Sequence, residues 1–234
     1  MLWLQNAEIF EKGFAYTYAL SKNDFTVAHV KRTLSVSLNR IIFSSYAYPV
    51  GFASLFISDT INEQSIISIK DNQLRTQSYS FVKKSDEIKE QFHLNFDWNK
   101  NNITDSRISS PLRLTSNSFD PLSFQLALAM EVKNHGADLT FDLVDNKHIK
   151  TYKLESLGQE QLETDAGNFT TYKFAYFDEI KKRKVIIWCA KQLDYLPVQI
   201  KRIDDDGDYG TLKLISLNAN AETEKPEDND DSDF

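Results

Sequence analysis

The sequence predicts a mainly β, α+β protein: a curved antiparallel sheet or half-barrel of about ten or more strands wrapped around one central buried helix. Three observations predict it. Short runs that alternate apolar and polar residues recur along most of the chain. Sixteen Phe and ten Tyr stand against only seven Gly and five Pro, a balance that favours ordered strands over disorder. One stretch, residues 120–136 (DPLSFQLALAMEVKNHG), breaks the alternation with helical spacing. At 234 residues and 41% hydrophobic the chain can bury a full core. The expected division is one β-rich domain over residues 8–218, with a short segment 1–7 before it and an acidic, disordered tail 219–234 after it.

The elements follow in order. Residues 14–20 alternate large and small side chains, and residues 21–24 (SKND) supply a turn into a long second strand through Val30, Leu34, Val36 and Leu38. A third strand at 41–48 stops at Pro49, and residues 51–56 make a turn or helical corner. Strands at 65–70 and 74–83 follow. Residues 91–98 alternate most cleanly, with Phe92, Leu94, Phe96 and Trp98 on one face and His93, Asn95 and Asp97 on the other. A polar loop through 109–111 and 117–118 then leads into the helix.

Asp120 is the expected N-cap of that helix, and Pro121 suits its first position, where no N–H is needed. Gly136 falls where a left-handed C-cap is expected. At about 100° per residue, Leu122, Phe124, Leu126, Leu128, Met130 and Val132, with Ala127 and Ala129, point nearly all round the axis. A helix apolar on most sides is a buried one. After it come strands at 139–144, 148–157, 161–164, 169–177, 184–191, 198–203 and 209–217. Residues 185–190 (VIIWCA) are apolar on both faces, so they predict a central strand covered on both sides, with the helix covering one.

Charge narrows the function. The formal net charge is −7, but the last sixteen residues hold seven carboxylates and one lysine. The body therefore carries 26 basic against 27 acidic residues. That near neutrality argues against a nucleic-acid surface, which needs a basic field. The one cysteine, Cys189, excludes an intrachain disulfide. No run approaches the roughly 20 apolar residues of a membrane-spanning helix. Residues 1–7 (MLWLQNA) do not make an intact signal peptide; they read either as the last apolar turn of a trimmed signal or as an ordinary first strand.

Motifs for chemistry are few. The histidines at 29, 93, 135 and 148 are scattered, with no spacing for a metal, and Cys189 has no neighbouring ligand. Neither metal nor cofactor is expected. His93 and Asp97 share a strand face, which could orient an imidazole, but a solvated face is the simpler reading. The run Asp204–Asp208 fits a calcium loop only if Arg202 and Lys213 stand at ligand positions, so it predicts a hairpin turn. Asn102 and Asn168 match glycosylation acceptors, which matter only in a eukaryotic secretory setting. No nucleophile elbow, P-loop or dinucleotide fingerprint is present.

The aromatic opening strand around Phe14 and Tyr16 and the corner Gly51 with Ser54-Leu55 carry a resemblance. It continues through Asp120-Pro121-Leu122-Ser123, residues 165–170 (DAGNFT), Trp188 and Leu196-Pro197-Val198. In this order and spacing the chain resembles the bacterial Domain of Unknown Function 3108 family over roughly residues 8–217. The resemblance implies an exported, mostly periplasmic, β-rich protein of Gram-negative bacteria with no established activity. It also implies a signal peptide, from which residues 1–7 depart. More distantly the chain is similar in architecture to half-barrel lipoprotein-carrier proteins, where a curved sheet and helices enclose an apolar cavity.

Three functions are therefore expected in descending order. The first is an envelope protein that binds or carries an apolar, lipid-like ligand on the concave side of the sheet. Its candidate apolar lining is Phe124, Leu128 and Trp188, against the alternative that these only fill the core. The second is a structural or assembly factor of the envelope acting through its sheet edge or acidic tail. The third, a hydrolase, has no supporting motif, so the reading leans away from an enzyme.

Overall fold

The structure, a computed structural model, describes residues 12–37, 40–71, 73–134 and 139–218. The expected segment 1–7, the helix end at Gly136 and the tail 219–234 lie outside the described residues. Eight strands come first: β1 (Phe14–Lys22), β2 (Phe25–Ser37), β3 (Arg40–Pro49), β4 (Thr60–Lys70), β5 (Gln73–Lys84), β6 (Ile88–Asp97), β7 (Asn102–Asp105) and β8 (Leu112–Arg113). A two-residue β9 (Ser118–Phe119) leads into the helix α1 (Ser123–Asn134). Six more strands follow: β10 (Leu139–Asp145), β11 (His148–Thr164), β12 (Gly167–Asp178), β13 (Arg183–Ala190), β14 (Leu196–Asp204) and β15 (Tyr209–Asn218).

All fifteen form one large curved, unclosed sheet in the order β8-β7-β6-β5-β4-β3-β2-β1-β15-β14-β13-β12-β11-β10-β9. Neighbours are antiparallel except β9 and β10, which run parallel. The sheet is thus two meanders joined where the first strand pairs with the last, Ala15 opposite Asn218 and Lys22 opposite Gly210. Register slips interrupt six of the strand pairs, and bulges of this kind bend strands and increase twist.

Local chemistry explains where the sequence reading and the structure part. The break expected between 157 and 161 is a bulge inside one seventeen-residue strand, β11. Gly158, at φ +85°, supplies the left-handed residue there, and the register slips between Ser156 and Gln159. The expected loop before the helix contains the two-residue strands β8 and β9, too short to leave a periodic signal. Gly51–Leu55 is one turn of 3-10 helix, and Asp204–Asp208 is the β14–β15 hairpin turn. Gly13 has φ +66°, and a Cβ on it would meet the Leu34 carbonyl oxygen at 2.2 Å.

Strand alternation sends Phe14, Leu34, Ile41, Phe43, Ile67, Leu94, Phe96 and Ile103 into the core. In α1 seven consecutive residues, Ser123 to Ala129, are buried, as is Val132. The helix touches β5 from the first meander and β10 and β14 from the second. Because strand directions alternate, the β1–β2, β3–β4, β5–β6, β10–β11, β12–β13 and β14–β15 connections fall at one end of the sheet, the upper end below. The Asn23 N–H donating to the Tyr209 carbonyl at 3.0 Å ties two of those connections together.

Candidate ligand-binding site

The site is built from the N-terminal end of α1. The Asp120 carboxylate accepts the N–H groups of Leu122 at 2.8 Å and Ser123 at 3.1 Å, the capping its sequence position predicts. Its other oxygen accepts the hydroxyls of Ser65 on β4 at 2.7 Å and Ser123 at 2.5 Å. Thr76 on β5 donates to the Ser123 hydroxyl at 2.8 Å, and Arg32 on β2 donates to Gln125 Oε1 at 2.6 Å. Arg32 also stands 4.8 Å over the Tyr18 ring. Complete burial pushes the Asp120 carboxyl above the ordinary carboxylate range, against the pull of the Ser123 and Ser65 hydroxyls and the two amides. One side of the helix start is therefore pinned to the first meander by polar side chains.

The other side faces a cavity of about 230 Å³ between α1 and β10–β14. Pro121, Phe124, Leu143, Val185, Ile187 and Ile200 give it an apolar floor, and Asp145, Tyr152, Tyr176, Asp178, Lys181 and Arg183 line its mouth. Strand β10 ends on Asp145 and β12 on Asp178, so the mouth lies at the upper end. Larger hollows of about 310 and 470 Å³ lie among polar side chains of β2–β5 and β4–β6 and have no such floor.

Charge at the mouth is closely paired. Asp145 accepts Lys181 Nζ at 2.7 and 2.8 Å and Lys150 Nζ at 3.0 Å. Asp178 accepts the N–H groups of Ile180 and Lys181, each at 3.1 Å, and so closes the β12–β13 turn. The Tyr152 hydroxyl lies between the two carboxylates, 3.1 Å from Asp145 and 3.2 Å from Asp178. Arg183 Nε stands 4.0 Å from Asp178 and is the most loosely held cation of the group.

Partial burial disfavours ionised Asp145, but the Lys181 and Lys150 ammoniums outweigh it and hold the carboxyl below its ordinary value. At Asp178 burial is likewise overcome, by the Lys181 amide and the charge of Lys150. Burial and the two carboxylates push the Tyr152 phenol up, and burial raises Tyr176 to about 12. Both carboxyls are thus ionised and both phenols protonated at neutral pH. These four groups fix charge and hydrogen bonds and offer no proton exchange near neutrality. On the lining, Lys181 and Arg183 balance the two carboxylates; Lys150, which pairs with both carboxylates without lining the opening, adds one positive charge beside it.

The structure separates the three residues singled out from the sequence. Phe124 lines the cavity, while Leu128, one turn further along α1, is fully buried and outside the lining. Trp188 is buried on the face of β13 opposite Ile187, where its indole N–H donates to Glu160 and Lys173 Nζ stands 4.9 Å from its ring centroid. Phe124 and Trp188 are not brought together. The carboxylate of Asp97 caps the turn after β6 by accepting the Asn99 and Lys100 N–H groups, and His93 is exposed. Cys189 is fully buried, and burial pushes its thiol up.

Sequence reading missed the mouth. Asp145 and Lys147 fell in the turn between the strands at 139–144 and 148–157, and residues 178–183 in the link between the strands at 169–177 and 184–191. The usable signal was that two strands each end in Asp beside lysines, with Tyr152 and Tyr176 on flanking strands.

No curated protein matches the chain. Among solved structures, it is similar to a β-barrel-like protein of Domain of Unknown Function DUF1849 from Brucella abortus, with a TM-score of 0.56 at 11% identity over 88% of this chain and 97% of the other. At that identity the likeness concerns the fold alone. A structure named "putative lipoprotein" from Parabacteroides distasonis aligns over 88% of this chain and 95% of the other at 13% identity, with a TM-score of only 0.31. A family model described as "Protein of unknown function (DUF3108)" matches residues 15–214, most of the chain, and covers both meanders and the helix α1 between them: the protein belongs to the DUF3108 family.

Proposed function

We propose that the protein is an exported protein of the bacterial envelope, working in the periplasm, whose sheet encloses α1 and holds an apolar, lipid-like molecule. The cavity beside Phe124 is the observation that supports this reading. Its inner walls are mostly apolar, with the Gln125 amide already engaged by Arg32 and the Pro121 carbonyl, and Lys150 beside its mouth gives a small positive excess, the arrangement that suits a greasy group with a polar end. Size limits the occupant. A cavity of about 150 Å³ admits benzene, so the space here takes one short acyl segment or a substituted ring rather than a whole lipid. Phe124 supplies the inner wall, Leu128 supports it from one turn away, and Trp188 stiffens β13 from its other face.

The test is native mass spectrometry of protein purified from its own envelope, paired with solvent extraction of the same sample. The expected result is an excess mass that extraction removes. A bare chain mass with nothing extractable would sink the proposal.

A further inference from the structure

Among the described residues, eleven large hydrophobic side chains are exposed, and eight of them cluster at the upper end of the sheet. They ride on four separate connections or their flanks. Phe25 follows the β1–β2 turn, and Phe52, Leu55, Phe56 and Ile57 occupy the β3–β4 connection. Ile88 opens β6, while Phe177 and Ile180 flank and occupy the β12–β13 turn. Phe25, Phe52, Leu55, Phe56 and Ile180 are 72–78% exposed. Turns ordinarily carry small and polar residues, so leaving this much apolar surface in water at one end calls for a partner.

We infer that this end docks on the surface of a phospholipid bilayer that carries anionic headgroups. Protrusions spread over four connections suit a fluid surface that yields to each one. Beneath the Phe52–Ile57 cluster, Tyr46 and Tyr48 stack on β3 with ring centroids 5.5 Å apart, and Tyr46 is exposed. Tyrosine at that height, under apolar tips, is the pattern of a side chain seated among headgroups. Charge fits as well. The β10–β11 and β12–β13 turns and their flanks carry Lys147, Lys150, Lys181, Lys182, Arg183 and Lys184 against Asp145, Asp178 and Glu179. That sector has an excess of three positive charges beside Ile180 and faces anionic lipid favourably. The β14–β15 turn between that sector and Phe25 is acidic; Arg202 pairs with Asp204 and Lys22 with Asp208, while Asp205 and Asp206 keep their charge. The electrostatic contact is therefore confined to the sector beside Ile180, and the apolar tips carry the rest.

Docking here would set the mouth of the cavity against the bilayer, yet it does not require the cavity to be filled. Co-sedimentation with unilamellar vesicles tests it. The full chain is mixed with vesicles of phosphatidylcholine alone or of phosphatidylcholine with phosphatidylglycerol. Wild-type protein is expected to pellet with the anionic vesicles, and the triple variant Phe52→Ser, Leu55→Ser, Phe56→Ser to bind at least tenfold more weakly. Its melting temperature should be unchanged, because all three side chains are exposed. Ile180→Ser is expected to weaken binding to a smaller degree. Wild-type protein that stays in the supernatant, or a triple variant that pellets as well as wild type, overturns the inference. Equal binding to the two vesicle types overturns its electrostatic part. Should wild type run as a dimer, the triple variant as a monomer, and neither pellet, the apolar end belongs to a second copy of the chain and the inference fails.

Discussion

The two sides of α1 solve the burial of a helix start in opposite ways. Toward β2, β4 and β5 the contacts are polar: Asp120, Ser123 and Gln125 meet Ser65, Thr76 and Arg32 at hydrogen-bond distance. Toward β10–β14 the contacts are apolar and incomplete, with Phe124 facing a cavity and the nearest charges gathered at its mouth. Buried polar groups tolerate little displacement, because each lost partner leaves a desolvated atom unsatisfied. Apolar contacts are non-directional and survive a gap at modest cost. The first side is therefore the register of the helix and the second its adaptable face. The proposed ligand would sit on the second.

That contrast can be broken by substitution, beginning where the effect is greatest. Asp120→Ala removes a cap worth about 1 kcal/mol and strands buried N–H and hydroxyl groups at about 1–3 kcal/mol. A loss of about 3–4 kcal/mol is expected in urea unfolding with an unchanged m-value. Phe124→Ala should cost less, about 2–3 kcal/mol, at or under the low end for a core phenylalanine, because the side chain already borders empty space. If Phe124→Ala proved the costlier of the two, the rigid and adaptable sides would be assigned the wrong way round. Gln125→Ala leaves the buried Arg32 guanidinium without its side-chain acceptor and is expected to cost about 2 kcal/mol. Gln125→Glu, which keeps an acceptor, should recover most of that in the same assay.

The smallest expected effect is at the mouth and depends on pH. Asp145 and Asp178 are held below their ordinary pKa when folded, so the folded state binds fewer protons than the unfolded one through the acid range. Their contribution is complete above the unfolded value of about 4 and is lost as pH falls through the folded values. Asp145→Asn should thus flatten the acid limb of a stability-versus-pH curve by about 1 kcal/mol. The same substitution should leave the shape of the curve at neutral to mildly alkaline pH unchanged. A curve as steep as wild type at low pH would mean that the lysines do not hold Asp145 in the folded state.

Much of the scaffold was legible because its signals are local. The alternation at 91–98 marks β6, the positions of Asp120 and Pro121 mark the start of α1, and the apolar side chains on every side of that helix mark its burial. Three short strands before the helix, β7, β8 and β9, escaped because two to four residues make too little of a period. The bulge at Gly158 read as a strand break because a left-handed glycine looks the same in a turn. The site was less legible still. Asp145, Tyr152, Asp178, Lys181 and Arg183 are ordinary residues in their own surroundings, and only the pairing of β10, β11, β12 and β13 brings them round one opening.

The sequence by itself determined most of the strand segments, that the start of α1 is buried, and which residue caps it, since each depends on side chains a few positions apart. Only the tertiary structure decided that β1 closes on β15, that the polar and apolar sides of α1 face different meanders, and that the exposed phenylalanines share an end with the cavity mouth. Those outcomes rest on strand pairings between residues as far apart as Ala15 and Asn218. Their selection is a property of the whole sheet's register and curvature, and no local periodicity encodes it.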